Sequence, residues 1–317
     1  MEQIQLPKSL YKYRSISDKI LYERDENGNH KFVDNGLDAL SRGEIWFSHL
    51  DKLNDPYENL YAFDYSSFFN NLETYLSTYP KPQIADLPKK MYLETMIANM
   101  KKEGCSDADI INSLDATRTP SLRRELKGLI SRIEQDKKNK TGILSLCGTN
   151  DNLLMWAYYA KEHNGYCLEF STSEDHKGQN ILKDEKFTYR VTYGKKILSL
   201  EDVNPFYSSA TVNQTRDMDD MVNAIQKIYC HKSQEWERED EWRVIADVSQ
   251  SKKTPDAPGA LMPFPGKLTA VYFGCRTNQI CIDAVKEAVQ IGNYGYTTEF
   301  KKAKLKSDSF GLDFNPV

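Results

Sequence analysis

Three carboxylates spaced two residues apart stand just before a strongly apolar segment. Glu237, Glu239 and Glu241 precede the run WRVIA. Residues two apart in a strand share a face, so these carboxylates would crowd together there. They could orient a substrate hydroxyl and stabilise positive charge that develops on a sugar, or they could form an exposed acidic strand end. Because Glu241 directly precedes the apolar run, we expect its side chain to be the innermost.

Other polar residues interrupt aromatic segments in the first part of the chain. Arg14 ends the segment LYKYR and could clamp a phosphate or carboxylate, although a surface arginine paired with a carboxylate fits the same pattern. Ser48 follows Trp46 and Phe47, and its hydroxyl could hold a carboxamide or a ribose, or it could simply end a strand. Asn54 and Asp55 open the turn NDPYE, where both would bond the backbone, although the carboxylates of this turn could instead line a pocket.

The composition excludes several classes of protein. The chain has 317 residues, 28% of them charged, and a net charge of −4, which argues against a large polyanion-binding surface. Its six cysteines form no CxxC pair and its five histidines do not pair at helical spacing, so we expect a site without metal. No apolar run resembles a signal peptide or a membrane span, and we expect a cytoplasmic protein with reduced thiols.

The periodicity of apolar residues divides the chain into three parts. Alternating or continuous apolar segments such as EIWFSH and EWRVIADV predict strands towards both ends. Residues 65–140 repeat apolar residues at helical spacing instead. We therefore expect residues 1–64 and 141–317 to form one β-rich body, with 65–140 as a helical insertion. Strands that do not alternate regularly with helices predict an α+β fold with a split, mixed or antiparallel β core.

Four motifs resemble those of a large, mostly bacterial family of domains of unknown function. They are LYKYR at 10–14, EIWFSHLDKLNDPYE at 44–58, LLMWAYYAKEHNGYCLEF at 153–170 and KSQEWEREDEWRVIA at 232–246. The resemblance covers nearly the whole chain apart from the helical insertion. The family itself implies little about activity.

A shorter pattern resembles the Arg–Ser–Glu signature of ADP-ribosyltransferases. An arginine on the first strand, a serine after an aromatic pair and a Glu-x-Glu before a later strand follow in that order. The resemblance implies that Arg14 holds the phosphate or ribose of NAD and that Ser48 supports the nicotinamide. It implies that Glu241 stabilises the oxocarbenium-like transition state and that Glu239 positions the acceptor.

The same resemblance implies the fold and the rest of the pocket. The β core would resemble that of an ADP-ribosyltransferase, and an aromatic ring such as Tyr13 or Phe47 would stack on the nicotinamide. Trp46 and Asn54 would complete the NAD site. The segment Phe-Ser-His at 47–49 departs from the Ser-Thr-Ser of many toxins of this kind.

These features lead to one functional expectation and two alternatives. We expect an NAD-using toxin or anti-phage effector that transfers ADP-ribose to protein or nucleic acid, or hydrolyses NAD, with an antitoxin or a second copy as a possible partner. The chemistry needs no strong acid, because nicotinamide leaves as a neutral group. The alternatives are a metal-dependent nuclease built on acidic residues with Lys232, and a non-catalytic module that senses a ligand through its aromatic clusters.

Overall fold

A mixed sheet of ten strands dominates the residues that the computed structural model describes. Neighbouring strands run antiparallel except for one parallel pair. This agrees with the α+β class that the sequence predicts. The described residues are 5–17, 22–24, 30–55, 57, 61–62, 102, 140–184, 186–199, 229–249, 251 and 258–317.

The helices and strands have the following bounds. The strands are β1 (Ser9–Arg14), β2 (Tyr22–Arg24), β3 (His30–Phe32), β4 (Glu44–His49), β5 (Tyr61–Ala62), β6 (Thr141–Cys147), β7 (Tyr166–Ser171), β8 (Thr188–Arg190), β9 (Thr192–Gly194), β10 (Leu198–Ser199), β11 (His231–Ser233), β12 (Glu241–Asp247), β13 (Gly259–Pro263), β14 (Leu268–Phe273), β15 (Glu299–Leu305) and β16 (Leu312–Pro316). The helices among the described residues are α1 (Asn35–Arg42), α2 (Leu153–Tyr158) and α3 (Gln279–Gly292), with two 3-10 helices, Leu50–Lys52 and Gln234–Glu239. No helix in these described segments has the length and hydropathy needed to span a membrane.

Strand β6 is the branch point of the sheet. On one edge β6 pairs with β12 along its whole length, and β12 then pairs with β8. The other edge is shared, because β1 meets β6 at Cys147 whereas β4 meets it at Ile143 and Gly142. Beyond β6, the order of neighbouring strands in the sheet is β1, β7, β14, β15 and β16 on one branch, and β4 and β13 on the other. We call the place where β1 and β4 leave the same edge of β6 the fork.

Lys12 occupies the fork. Its ammonium donates a hydrogen bond of 2.8 Å to the backbone carbonyl of Ser145, which lies between the two paired stretches of β6. Burial and the neighbouring charge of Arg14 lower the pKa of Lys12 to about 8, although Glu241 and Glu239 act in the opposite direction. The side chain therefore satisfies a carbonyl that neither strand reaches.

Two apolar cores cover the sheet, one on each face. In β7, Tyr166 and Leu168 join the larger core, while Cys167 between them joins the smaller one. The larger core includes apolar residues of α1 and α3, which pack together. The smaller core is built around Trp156 of α2. Alternation along the strands thus assigns each face its own helices.

Local signals account for the ends of α1. Asp34 caps its first turn by accepting hydrogen bonds from the backbone of Gly36 and Leu37, at 2.8 and 3.1 Å. Gly43 ends it in the left-handed conformation, with φ of 69°. The segment 152–165 around Trp156, which ends in Gly165, predicts a helix over its whole length, but the helix ends at Tyr158. Three consecutive left-handed residues, 161–163, follow it instead of a helical continuation to Gly165.

The chain divides into two compact units. The first comprises residues 1–60, 138–197 and 225–317, and the second comprises residues 61–137 and 198–224. The predicted helical insertion, 65–140, lies almost entirely outside the described residues, and the predicted domain division stays a prediction.

We predict that Gly165→Ala destabilises the protein strongly. An added Cβ would lie 2.1 Å from the backbone oxygen of Arg14 and 3.0 Å from backbone atoms of Ala160, neither of which is free to move away. We expect a loss of about 2–3 kcal/mol in the free energy of unfolding, measured by urea denaturation. Gly178→Ala is the control, because its φ of 81° is left-handed but nothing lies within 4 Å. It should cost only about 1 kcal/mol, and equal losses in the two variants would contradict the prediction.

Candidate functional site

A lysine and two glutamates meet where β11, the second 3-10 helix and β12 come together. Lys232 lies in β11, Glu239 ends the 3-10 helix and Glu241 begins β12. The ammonium of Lys232 lies 2.7 Å from Oε2 of Glu239 and 3.3 Å from Oε2 of Glu241. Asp240 between the glutamates is left-handed, with φ of 45°. The expectation that both carboxylates share one strand face is therefore wrong, because the chain turns at Asp240 and both converge on the lysine.

Arg243 completes the group from the same strand as Glu241. Its Nε lies 2.9 Å from Oε1 of Glu241 and its Nη2 lies 3.1 Å from Oε2, while Nη1 donates to the carbonyl of Tyr229 at 2.6 Å. The fork-shaped guanidinium thus binds both carboxylate oxygens. We call Lys232, Glu239, Glu241 and Arg243 the ion cluster. Its two positive and two negative charges balance.

The ion cluster holds Glu241 in its charged form. Burial alone would raise the pKa of this carboxyl, but the charges of Arg243 and Lys232, with hydrogen bonds from Arg243 and Ser145, outweigh it and lower the pKa to about 2. The backbone N–H of Glu241 also donates to the hydroxyl of Tyr193 at 2.9 Å. Glu241 is therefore fixed at both its backbone and its side chain.

Glu239 lies at the outer end of the ion cluster. Its side chain is 11% exposed, compared with 6% for Glu241, whereas Glu237 is exposed. The expectation that Glu241 is the innermost of the three agrees with these values. The hydroxyl of Tyr159 donates to Oε1 of Glu239 at 2.5 Å, and the side-chain amide of Asn54 donates to that hydroxyl. Burial and Glu239 raise the pKa of Tyr159, which keeps its hydroxyl protonated as a donor.

Of the site residues that the sequence predicts, the structure brings together Glu239, Glu241 and Asn54. Arg14 is not among them. Tyr11 lies opposite Cys147, which in turn lies opposite Glu241, so Tyr11 and Glu241 share a face of the sheet. Arg14 is three residues further along β1 and therefore points to the other face. There it interacts with the side chain of Tyr166.

Ser48 also lies away from the ion cluster. It pairs with Ile143, whereas Glu241 pairs with Cys147, four residues along β6. At about 3.3 Å per residue, this separation is about 13 Å along the strand. The structure thus places Ser48 on the β4 branch of the fork.

The predicted aromatic residues contribute to the cores. Phe47 is fully buried in the larger core. Tyr13 is 4% exposed, packs edge-on against Trp156, and donates its hydroxyl to the carbonyl of Thr149 at 2.9 Å. Neither ring presents a face to a ligand. Trp46 is half-buried and packs against Gly259.

Tyr159 was not among the predicted site residues. Its only sequence signal is its position three residues after Trp156, which puts both side chains on the same side of a helical turn. Trp156 packs into the smaller core, and Tyr159 at the end of α2 reaches Glu239. Lys232 opens the fourth motif and enters the sequence predictions only in the nuclease alternative. Its ammonium lies 4.8 Å from the centre of the Trp236 ring.

Comparison with known proteins identifies the part of the chain that contains this site. Residues 155–244 match the family model described as "Protein of unknown function (DUF2971)". This match covers 90 of the 317 residues and supports the resemblance to a family of domains of unknown function. The DUF2971 segment contains Tyr159 and the whole ion cluster, whereas Arg14, Ser48 and Asn54 precede it. No curated protein and no solved structure matches the chain, and the resemblance to ADP-ribosyltransferases stays an expectation. Within the described residues, no three His, Cys, Asp or Glu lie together as a metal site would require.

We predict that Arg243→Met costs about 3–5 kcal/mol in the free energy of unfolding, because it leaves a buried carboxylate with one cation fewer. The guanidinium is 1% exposed, so water cannot replace it. Urea denaturation at neutral pH measures the loss. Arg42→Met is the matched control, since Arg42 pairs with Asp38 and Glu44 on the surface. It should cost less than about 1 kcal/mol, and a similar cost for both variants would show that the ion cluster is not buried as described.

We predict a specific loss of stability in acid. The pKa of Glu241 falls from an ordinary value of 4.5 to about 2 on folding, so its contribution is complete above pH 4.5 and is lost as the pH falls towards 2. The shift corresponds to about 3 kcal/mol. Glu241→Gln should therefore flatten the stability profile between pH 5 and pH 2 while lowering stability at neutral pH. Parallel profiles for the wild type and the variant would contradict this assignment.

Proposed function

We propose that this chain cleaves the bond between nicotinamide and ribose in NAD, as a glycohydrolase or an ADP-ribosyltransferase, with Glu239 beside the reacting carbon. The observation that supports this proposal is the position of Glu239. Its carboxylate is held by Lys232 on one oxygen and by Tyr159 on the other, at the outer end of the ion cluster. Glu241 is enclosed by Lys232 and Arg243, which makes it the less suitable of the two carboxylates.

The reaction suits a site of this composition. The bond between the ribose C1′ and the ring nitrogen breaks, and its electron pair neutralises the positive charge of the nicotinamide ring. Positive charge then develops on the ribose, where a fixed carboxylate stabilises it. Water or an acceptor hydroxyl attacks C1′ and loses its proton. Nicotinamide leaves as a neutral group, so the step needs no strong acid.

In this proposal the rest of the ion cluster positions Glu239. Glu241 holds Lys232, and Arg243 holds Glu241, so each charge fixes the next. Tyr159 and Asn54 orient the second oxygen of Glu239. An arrangement held before the substrate binds does not have to reorganise during the reaction. The proposal therefore rests on one carboxylate and its supports, and not on convergence of Arg14, Ser48 and Glu241.

The proposed chemistry has a biological corollary. Because NAD is found inside cells, an enzyme that consumes it would act in a cytoplasm, either of the cell that makes it or of a target cell. A toxin or an anti-phage effector of this kind would need an antitoxin or an inactive state as restraint. Its acceptor would be water, a protein or a nucleic acid.

We predict that Glu239→Gln lowers the turnover of NAD at least 100-fold, because the amide keeps the shape of the side chain but not its charge. Release of nicotinamide and formation of ADP-ribose are followed by chromatography, in the presence of protein and nucleic-acid acceptors. Glu237→Gln is the matched control, since it changes an exposed carboxylate on the same 3-10 helix and should keep full activity. Thermal melting confirms that both variants are folded.

The alternatives give different results in the same assay. NAD that stays intact with the folded wild-type protein would overturn the proposal. Cleavage of nucleic acid that a chelator stops would favour the metal-dependent nuclease. A rise in melting temperature with NAD but without turnover would favour a sensing module, since a ligand that binds only the folded state stabilises it.

A further inference from the structure

Asp55 is a buried carboxylate with one oxygen that no hydrogen bond satisfies. Only 4% of the surface of this residue is exposed to solvent. Oδ1 accepts a hydrogen bond of 2.9 Å from the backbone of Tyr57, in the manner of an Asx turn. Oδ2 is buried and has no hydrogen-bond partner in the part of the chain that the structure describes. Oδ1 therefore fixes the turn, whereas Oδ2 takes no part in it.

An unsatisfied oxygen of this kind calls for an explanation. A buried acceptor without a donor costs about 1–3 kcal/mol, and more when it carries charge. Native proteins pair such atoms almost without exception, with protein groups, with water or with a ligand. No Lys, Arg or His in the described segments forms an ion pair with Asp55. Its second oxygen is thus suited to a donor that the described residues do not supply.

The chain places Asp55 directly beside the candidate site. Asn54, the residue before it, donates to the hydroxyl of Tyr159, which donates to Glu239. Consecutive Cα atoms are only 3.8 Å apart. The Asx turn fixes Asp55, and the hydrogen bond to Tyr159 fixes Asn54 next to it, so the turn that contains both residues is anchored to this end of the ion cluster before any ligand arrives.

We infer that Oδ2 of Asp55 accepts a hydrogen bond from the carboxamide N–H of the nicotinamide group. This inference rests on the proposed function. The hydrogen-bond donors of NAD are the N–H groups of adenine and of the nicotinamide carboxamide and the hydroxyls of its two riboses. Of these, only the carboxamide belongs to the ring whose bond Glu239 would help to break. The positive charge of that ring adds an attraction to the carboxylate. Asp55 would therefore select the leaving group, while Glu239 acts on the ribose.

The inference has a consequence for substrate choice. Nicotinic acid adenine dinucleotide carries a carboxylate in place of the carboxamide, so it lacks the donor and would repel Asp55. Repulsion of this kind discriminates between ligands more strongly than the loss of an attractive contact alone. The site should thus prefer the amide form of the dinucleotide over the acid form.

The test compares the two dinucleotides as substrates of the wild type and of Asp55→Asn. The wild-type protein should have a kcat/KM for NAD at least about tenfold above that for nicotinic acid adenine dinucleotide. Asp55→Asn should reduce this preference about tenfold or more, because an asparagine amide can donate to the carboxylate of the acid form. Asp313→Asn, an exposed aspartate of β16, is the matched control and should keep the wild-type preference.

Each outcome bears on a separate statement. If the wild type turns over NAD but Asp55→Asn leaves the preference unchanged, the inference about Asp55 is wrong and the proposed function stands. If the wild type uses both dinucleotides equally, the inference is wrong whether or not the variant folds. If the wild type does not turn over NAD, the proposed function fails and the inference fails with it.

Discussion

The pairing of Lys232 with two glutamates is the interaction on which the rest of the site depends. Buried charges are tolerated only when their partners are in place, because removal from water costs several kcal/mol for each ion. Lys232 needs Glu239 and Glu241, and Glu241 also needs Arg243. The 3-10 helix, β11 and β12 are therefore held in one arrangement. Tyr159 extends that arrangement to the end of α2 and to the loop that contains Asn54.

Elements with local signals could be predicted from the sequence. Alternation in EIWFSH predicts β4 at its observed position, and Gly43 marks the end of α1. The helix around Trp156 was predicted to continue to Gly165 but ends at Tyr158. Residues 161–163 after it are left-handed without being glycine, a conformation that costs about 1–2 kcal/mol per residue. Backbone hydrogen bonds, such as the one that Arg276 donates to the carbonyl of His163, hold this segment. No feature of the local sequence indicates this conformation.

The sequence predicts part of the candidate site, but the structure brings its residues together in a different way from the one expected. Glu239 and Glu241 do lie together, but a left-handed Asp240 and a shared lysine bring them there, and not the two-residue period of a strand. Arg14 and Ser48 do not join them. The sheet face on which each side chain lies, and its position along the neighbouring strands, depend on the strand with which β1 or β4 pairs. That partner, β6, lies far along the chain. Motifs that follow in the expected order therefore do not have to meet in space.

The fork has a consequence for how the protein acquires its structure. When β6 leaves the ribosome, the segments that form β1 and β4 have already been synthesised and can pair with one of its edges. The other edge must wait for β12, about 90 residues later. Until then, an apolar strand exposes a row of unpaired amides and carbonyls, which is the state most prone to pair with a neighbouring chain. This order of the strands favours slow folding and an aggregation-prone intermediate, independently of how stable the finished sheet is.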